Sequence, residues 1–222
     1  MAGGSSVQTE GFEIVSRGPG GIPLRFKNAA GVCSARVKDR CMDLADITAM
    51  EEEWLTRRSS IQGTIERRVT LYARLAIFDA WQEIFQKYVT LAKEGDLEAL
   101  KRAVFLLWYQ YSVPLWVSGL LGLDGQGSRE VLQILDRMAR EDKLDLELQW
   151  MLPHYYRLAD YYLEVWEGLD LAELKKASQK NWDLRDKCIR QSSFAHRGLF
   201  GEYWASLQSG ERTAPKAEVP PV

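Results

Sequence analysis

Histidine is nearly missing from this chain of 222 residues: there are two, His154 and His196. The HExxH, ExxH and CxxC patterns are all absent. Zinc-protease and ferritin-like di-iron chemistries therefore lose their usual ligands, and no metal or other cofactor is expected. Cysteine is scarce too. Cys33, Cys41 and Cys188 cannot all pair, which excludes a disulfide scaffold and fits a reducing compartment, so a cytoplasmic location is expected. An excess of one charge is also lacking. With 29 basic and 31 acidic residues the net charge is −2, so no global field draws the chain toward nucleic acid or an anionic membrane. The opening MAGGSSVQTEGFEIV has neither the basic nor the apolar region of a secretory signal. Ala2 stands where myristoylation needs glycine. Strand-type alternation is too sparse for an α/β sheet. No shared repeat signature supports a solenoid.

The longest uncharged run is Ala103–Leu123, 21 residues without Asp, Glu, Lys or Arg. That length meets the threshold for a membrane span. Yet Gln110, Ser112, Pro114, Ser118, Gly119 and Gly122 interrupt it, and a patterned amphipathic helix leads into it. A buried helix pair bent at Pro114 is the better reading, with no membrane partner.

What the sequence does contain is helical periodicity. It predicts an all-α fold, an irregular multi-helix bundle of six to eight helices in one domain, residues 43–207. An irregular arm, residues 1–42, precedes it. Phe12–Val15 and Ile22–Phe26 could pair there as a short β-hairpin across SRGPGG. A polar, Pro-ending tail, residues 208–222, is expected to be disordered.

A first helix should run from Asp43 to Arg58, acidic at its start and basic at its end. A second should run from Thr64 to Lys93 as one rod of about 45 Å, burying Ile77, Trp81, Ile84, Tyr88 and Leu91. Gly95 stops it and Asp96 caps the next helix, whose Leu97, Leu100, Val104, Leu107 and Tyr111 form an apolar seam. A segment from Pro114 to Leu121 follows. Ser128 should then cap a helix to Asp142. Asp145 should start one that reaches Gly168 and occupies the centre of the bundle. Asp170 and Glu173 resemble a capping box. A last short helix should hold Phe200, Tyr203, Trp204 and Leu207.

Aromatic density is the most unusual feature: of 24 aromatic residues, 11 fall between Phe105 and Trp166. On the Asp145 helix, Trp150, His154, Leu158, Tyr161 and Val165 form one stripe. Met151, Tyr155, Ala159, Tyr162 and Trp166 form another. An aromatic core accounts for this most simply. The sharper alternative is a ligand pocket walled by Trp108, Tyr109, Trp150, Tyr155 and Tyr162, suited to flat or cationic molecules.

Catalytic candidates are weak. His154 follows Pro153 in the aromatic stretch and could act as a base. Cys188 and His196 could form a thiolate dyad, although spacing alone does not bring them together. A helix break is expected near Gly198 and Gly201. Gly125, Gly127, Ser128 and Arg129 precede a helix start and could hold an anion on free amides, without the Walker lysine. An ordinary capped loop is the commoner outcome.

Charge is uneven: residues 123–170 hold 11 acidic and 5 basic side chains, while 171–222 hold 9 basic and 6 acidic. The acidic stretch REDKLDLELQ could meet a basic partner, though a solvated face is commoner. Lys175, Lys176, Lys180, Arg185, Lys187, Arg190 and Arg197, interleaved with Trp182 and Phe194, could contact nucleic acid. Arg57, Arg58, Arg67 and Arg68 form a second basic cluster. The leading expectation is a non-catalytic interaction or adaptor protein that binds a protein partner or itself. A small-molecule binder, conceivably an enzyme, comes second and nucleic-acid binding third.

Overall fold

A computed structural model describes residues 43–180 and 192–208. The N-terminal arm with its proposed hairpin, all three cysteines, and the tail beyond Gln208 lie outside the described residues. Within them every regular element is helical, as the periodicity predicts. The helices are α1 (Leu44–Ser59), α2 (Ile65–Arg74), α3 (Ile77–Lys93), α4 (Leu97–Ser112), α5 (Leu115–Ser118), α6 (Gly125–Arg140), α7 (Leu146–Ala159), α8 (Ala172–Ser178) and α9 (Gly198–Gln208). A 3-10 turn, Asp160–Leu163, follows α7 directly. No described helix is long and apolar enough to cross a membrane.

The rod expected over residues 64–93 is two helices, which brings the described residues to nine α-helices where six to eight were expected. The chain turns at Ala76, which takes the left-handed conformation at φ 55°. Tyr72 and Trp81, both fully buried, explain the break. They are nine residues apart, so at about 100° per residue a straight helix would set them on opposite sides. The turn lets α2 bury Tyr72, whose hydroxyl donates to the Trp116 carbonyl at 3.2 Å, while α3 buries Ile77, Trp81, Ile84 and Tyr88.

The central element is α4, not the Asp145 helix. Its residues 99–108 are all buried, including Lys101 and Arg102, and it packs against α3, α5, α6, α7 and α9. The short Lys93–Asp96 link makes α3 and α4 a hairpin. Asp96 caps α4 by accepting the Ala99 amide at 2.9 Å, as expected. The uncharged run bends at Pro114, and α5 ends at Ser118 rather than Leu121.

Further boundaries differ from expectation. The cap of α6 is Asp124, so Gly125, Gly127 and Ser128 lie inside its first turn. Gly127 is buried against Val89 and Phe85 there. α7 ends at Ala159, well before Gly168, and the tighter 3-10 turn changes which side chains face inward. Met151, Tyr155, Ala159 and Tyr162 stay buried, but Leu158, Tyr161 and Val165 are exposed. The Asp170–Glu173 box does not form. Instead the Leu174 amide of α8 donates to Asp136 of α6 at 2.9 Å. The last helix starts at Gly198, at φ 57° after a non-helical stretch, while Gly201 lies within it.

Candidate functional site

The aromatic residues gather where α4, α7 and α9 meet. Trp108 stacks on Tyr155 at 4.6 Å between centroids, and Phe105 stacks on Tyr109 at 5.0 Å. Phe200 meets Phe105 edge-on at 5.6 Å, and Trp204 meets Trp150 edge-on at 4.7 Å. Two indole N–H groups find partners inside the cluster. Trp108 Nε1 donates to the Tyr155 carbonyl at 3.0 Å, and Trp204 Nε1 to the Tyr155 hydroxyl at 3.3 Å. Burial pushes the Tyr155 phenol well above its usual range. Trp108, Tyr109, Trp150 and Tyr155 thus touch one another or share Trp204 as a neighbour. Tyr162, further along the chain, is fully buried, and its hydroxyl has no hydrogen-bond partner among the described residues.

His154 is 2% exposed, with Nε2 2.6 Å from the Tyr203 hydroxyl and its ring against Trp204 at 4.7 Å. It is enclosed by aromatic rings. His196 is exposed, with φ 58°, and its carbonyl accepts from Arg102 at 3.4 Å. Cys188 lies outside the described residues, so the structure does not show the Cys188–His196 pair. No group of three or more His, Cys, Asp or Glu among the described residues could hold a metal ion.

Where an anion was to sit, the first-turn amides of α6 face the Asp124 carboxylate, which accepts the Gly127 amide and is held below its usual range by that bond. Ser128 Oγ donates to the Asp124 carbonyl at 2.7 Å. Arg129 reaches the Glu167 carbonyl at 3.0 Å and lies over Trp166. Of the C-terminal basic residues, Lys175 pairs with Glu164 at 2.8 Å and Lys176 with Glu173 at 3.4 Å. Lys180 is exposed, and Trp182, Arg185, Lys187 and Arg190 lie outside the described residues. In the second basic cluster, Arg58 donates to the Ser118 carbonyl at 3.2 Å and Arg57 covers Trp54.

An ionic chain through the interior was not anticipated. Lys101 Nζ contacts Asp145 and, at 2.6 Å, Glu147. Glu147 Oε1 accepts from Arg197 at 2.6 Å. Arg197 reaches on to Glu98, which accepts from Arg102 Nε at 2.9 Å. Arg102 then donates to Thr48 at 2.7 Å and to the Tyr88 hydroxyl at 3.2 Å. Tyr88 in turn is 2.6 Å from Glu51. The acidic stretch around residue 145 therefore finds its basic partners within the chain. Burial opposes the charge on Glu147, but bonds from Arg197 and Lys101 outweigh it and leave this carboxyl below its usual range. The one local signal of this chain is Glu98 and Arg102, four apart on a helix.

Two open concavities flank the core. One, of about 640 Å³, runs between α1 and α9 and is lined by Leu55, Phe194, His196, Gly198 and Glu202 among others. The other, of about 500 Å³, follows the bend after α4 and is lined by Gln110, Tyr111, Val113, Pro114, Leu121 and Leu123 with their neighbours. Tyr161 adjoins this second groove: its hydroxyl donates to the Tyr111 carbonyl, and the two rings meet edge-on at 6.3 Å.

Comparison with known protein families, with curated proteins and with solved structures finds no match to this chain.

Proposed function

We propose that the chain is a non-catalytic helical interaction protein, an adaptor or a subunit of an assembly. The observation that carries this reading is the groove at the α4–α5 bend. Its lining comes from the uncharged run, and large apolar side chains extend it into solvent. Leu121, in the lining, is 52% exposed, and Tyr161, which bonds to Tyr111 of the lining, is 47% exposed. Keeping such side chains in water costs about 25 cal/mol for each Å² that a partner could cover. The occupant we propose is an apolar segment of another polypeptide. The lining has no charge to anchor a polar metabolite, and the groove is open along one side, so two or three side chains of a docked segment fit it better than an enclosed ligand. The scarcity of cysteine supports placing this activity in the cytoplasm.

The test is a photo-crosslinking amino acid at position 121 of the full chain, expressed in its own cells, with a second copy at exposed Glu53 as control. A discrete polypeptide adduct at 121, absent at 53 and lost when Tyr161 is changed to Asp, is the expected result. Equal labelling at both positions, or no polypeptide adduct at 121, would overturn the reading.

A further inference from the structure

Glu51 is the most deeply placed carboxyl of the ionic chain, 1% exposed, and three helices besides its own close over it. From α3 the Tyr88 hydroxyl lies at 2.6 Å. From α4 Arg102 stands 3.9 Å away, already engaged by Glu98 at 2.9 Å. From α9 the Leu199 amide donates to Oε1 at 3.0 Å. Gly198 presses so close that a Cβ there would overlap the carboxyl. Glu202 of α9 adds a repulsive charge. The segment before α9 contributes Arg197, which is committed to Glu98 and Glu147, and the carbonyl of His196, which is held by Arg102. On α1 itself Thr48 takes an Arg102 bond, and Glu52 lines the cleft outside.

The charges along this chain balance without Glu51. Glu98, Glu147 and Asp145 face Arg102, Arg197 and Lys101, one for one. A charge on Glu51 is therefore surplus, buried and only partly compensated. The first turn of α9 is what seals it from the neighbouring cleft. Opening that turn would hydrate the carboxyl, whereas Trp204 and Phe200, buried in the aromatic cluster, keep the rest of α9 attached.

We propose that Glu51 is a proton-operated latch on the first turn of α9, closed when the carboxyl is protonated and loosened when it ionises. Burial, opposed by the bonds from Tyr88 and Leu199 and by Arg102, raises this carboxyl from 4.5 to about 7. Released into water it would return toward 4.5, so proton loss favours the open form and the latch works near neutrality.

The experiment follows the Leu199 amide, whose described acceptor is Glu51, by hydrogen exchange on the full chain from pH 5.5 to 8.5, corrected for intrinsic rates. Wild-type protection should fall by about tenfold or more across that range, the effect of one or more units of pKa difference. Glu51→Gln keeps the shape and, through its amide oxygen, the Leu199 bond, while its NH2 donates to the Tyr88 oxygen and no charge remains, so its protection should stay flat within about twofold. A flat wild-type profile, or a fall that Glu51→Gln retains, overturns the latch. If the variant does not fold, the side-chain carboxyl ¹³C shift of Glu51 in the wild type decides. A midpoint between pH 6 and 8 that coincides with the loss of Leu199 protection supports the proposal. A midpoint below 5, or one that does not coincide, refutes it.

Discussion

Asp136 caps a helix it does not belong to: its Oδ1 accepts the Leu174 amide at 2.9 Å, across 38 residues of chain. The residue before α8 is Leu171, which has no side-chain cap to offer, so the carboxylate of α6 does that work. Asp136 is itself buried, and its second oxygen accepts from Arg140 at 2.8 Å. Asp136→Ala should cost about 2 kcal/mol, combining a lost cap with a buried amide left unpaired. Arg140→Ala removes only an exposed partner and should cost less than about 0.5 kcal/mol. Urea unfolding of the two variants checks this. Equal losses would mean that the ion pair, not the cap, matters.

Arg197 joins two carboxylates that would otherwise repel. It contacts both oxygens of Glu98 and both of Glu147, with its guanidinium over the Phe200 ring at 4.4 Å. Replacing it with Ala leaves Arg102 on Glu98 and Lys101 on Glu147 but one negative charge in excess within the cluster, at a cost of about 3 kcal/mol. Lys cannot reproduce the forked geometry or the stacking. Arg197→Lys should therefore recover less than half of that loss in denaturant midpoints. Full rescue by Lys would reduce Arg197 to a point charge.

These contacts mark where reading the sequence stops. Asp43, Asp96 and Asp145 were legible as helix starts because each caps an amide three residues ahead. Asp136 and Glu51 serve amides 38 and 148 residues away, and nothing local announces that. The all-α class followed from periodicity alone. The break at Ala76 did not, because no glycine or proline marks it and the conflict between Tyr72 and Trp81 exists only once their neighbours are placed. Aromatic stripes pointed to the α7 side of the ring cluster, but only geometry shows which rings of α4, α7 and α9 touch. The uncharged run from Ala103 was legible, and its exposed lip at Leu121 was not.

The two glycines at the start of α9 are there for close approach. At Gly198, with φ 57°, a Cβ would overlap the Glu51 carboxyl, and at Gly201 it would overlap the Phe194 carbonyl. Neither neighbour can yield easily, since one is a buried bonded carboxyl and the other is backbone. Gly198→Ala and Gly201→Ala should each cost about 2–4 kcal/mol through backbone strain and overpacking. Gly125, the first residue of α6, has open space around its Cβ position, and Gly125→Ala should be neutral or stabilising by up to about 1 kcal/mol. Thermal melts of the three variants test this. A destabilised Gly125→Ala alongside a tolerated Gly201→Ala would contradict the packing described.

Global stability should pass through a maximum in weakly acidic solution, because Glu51 and Glu147 are shifted in opposite directions. Glu147, held below 4.5 by Arg197 and Lys101, adds stability above its unfolded value and loses it as pH falls. Glu51, raised from 4.5 to about 7, adds stability that is complete below 4.5 and is lost as pH rises through 7. The unfolding free energy should therefore climb as pH rises toward 4.5, then decline as it approaches 7. Glu147→Gln should flatten the acid limb, and Glu51→Gln the limb between 4.5 and 7. Urea unfolding at half-unit steps from pH 2.5 to 8 reads both slopes. A wild-type stability that keeps rising from pH 5 to 8 would show that Glu51 is ionised throughout.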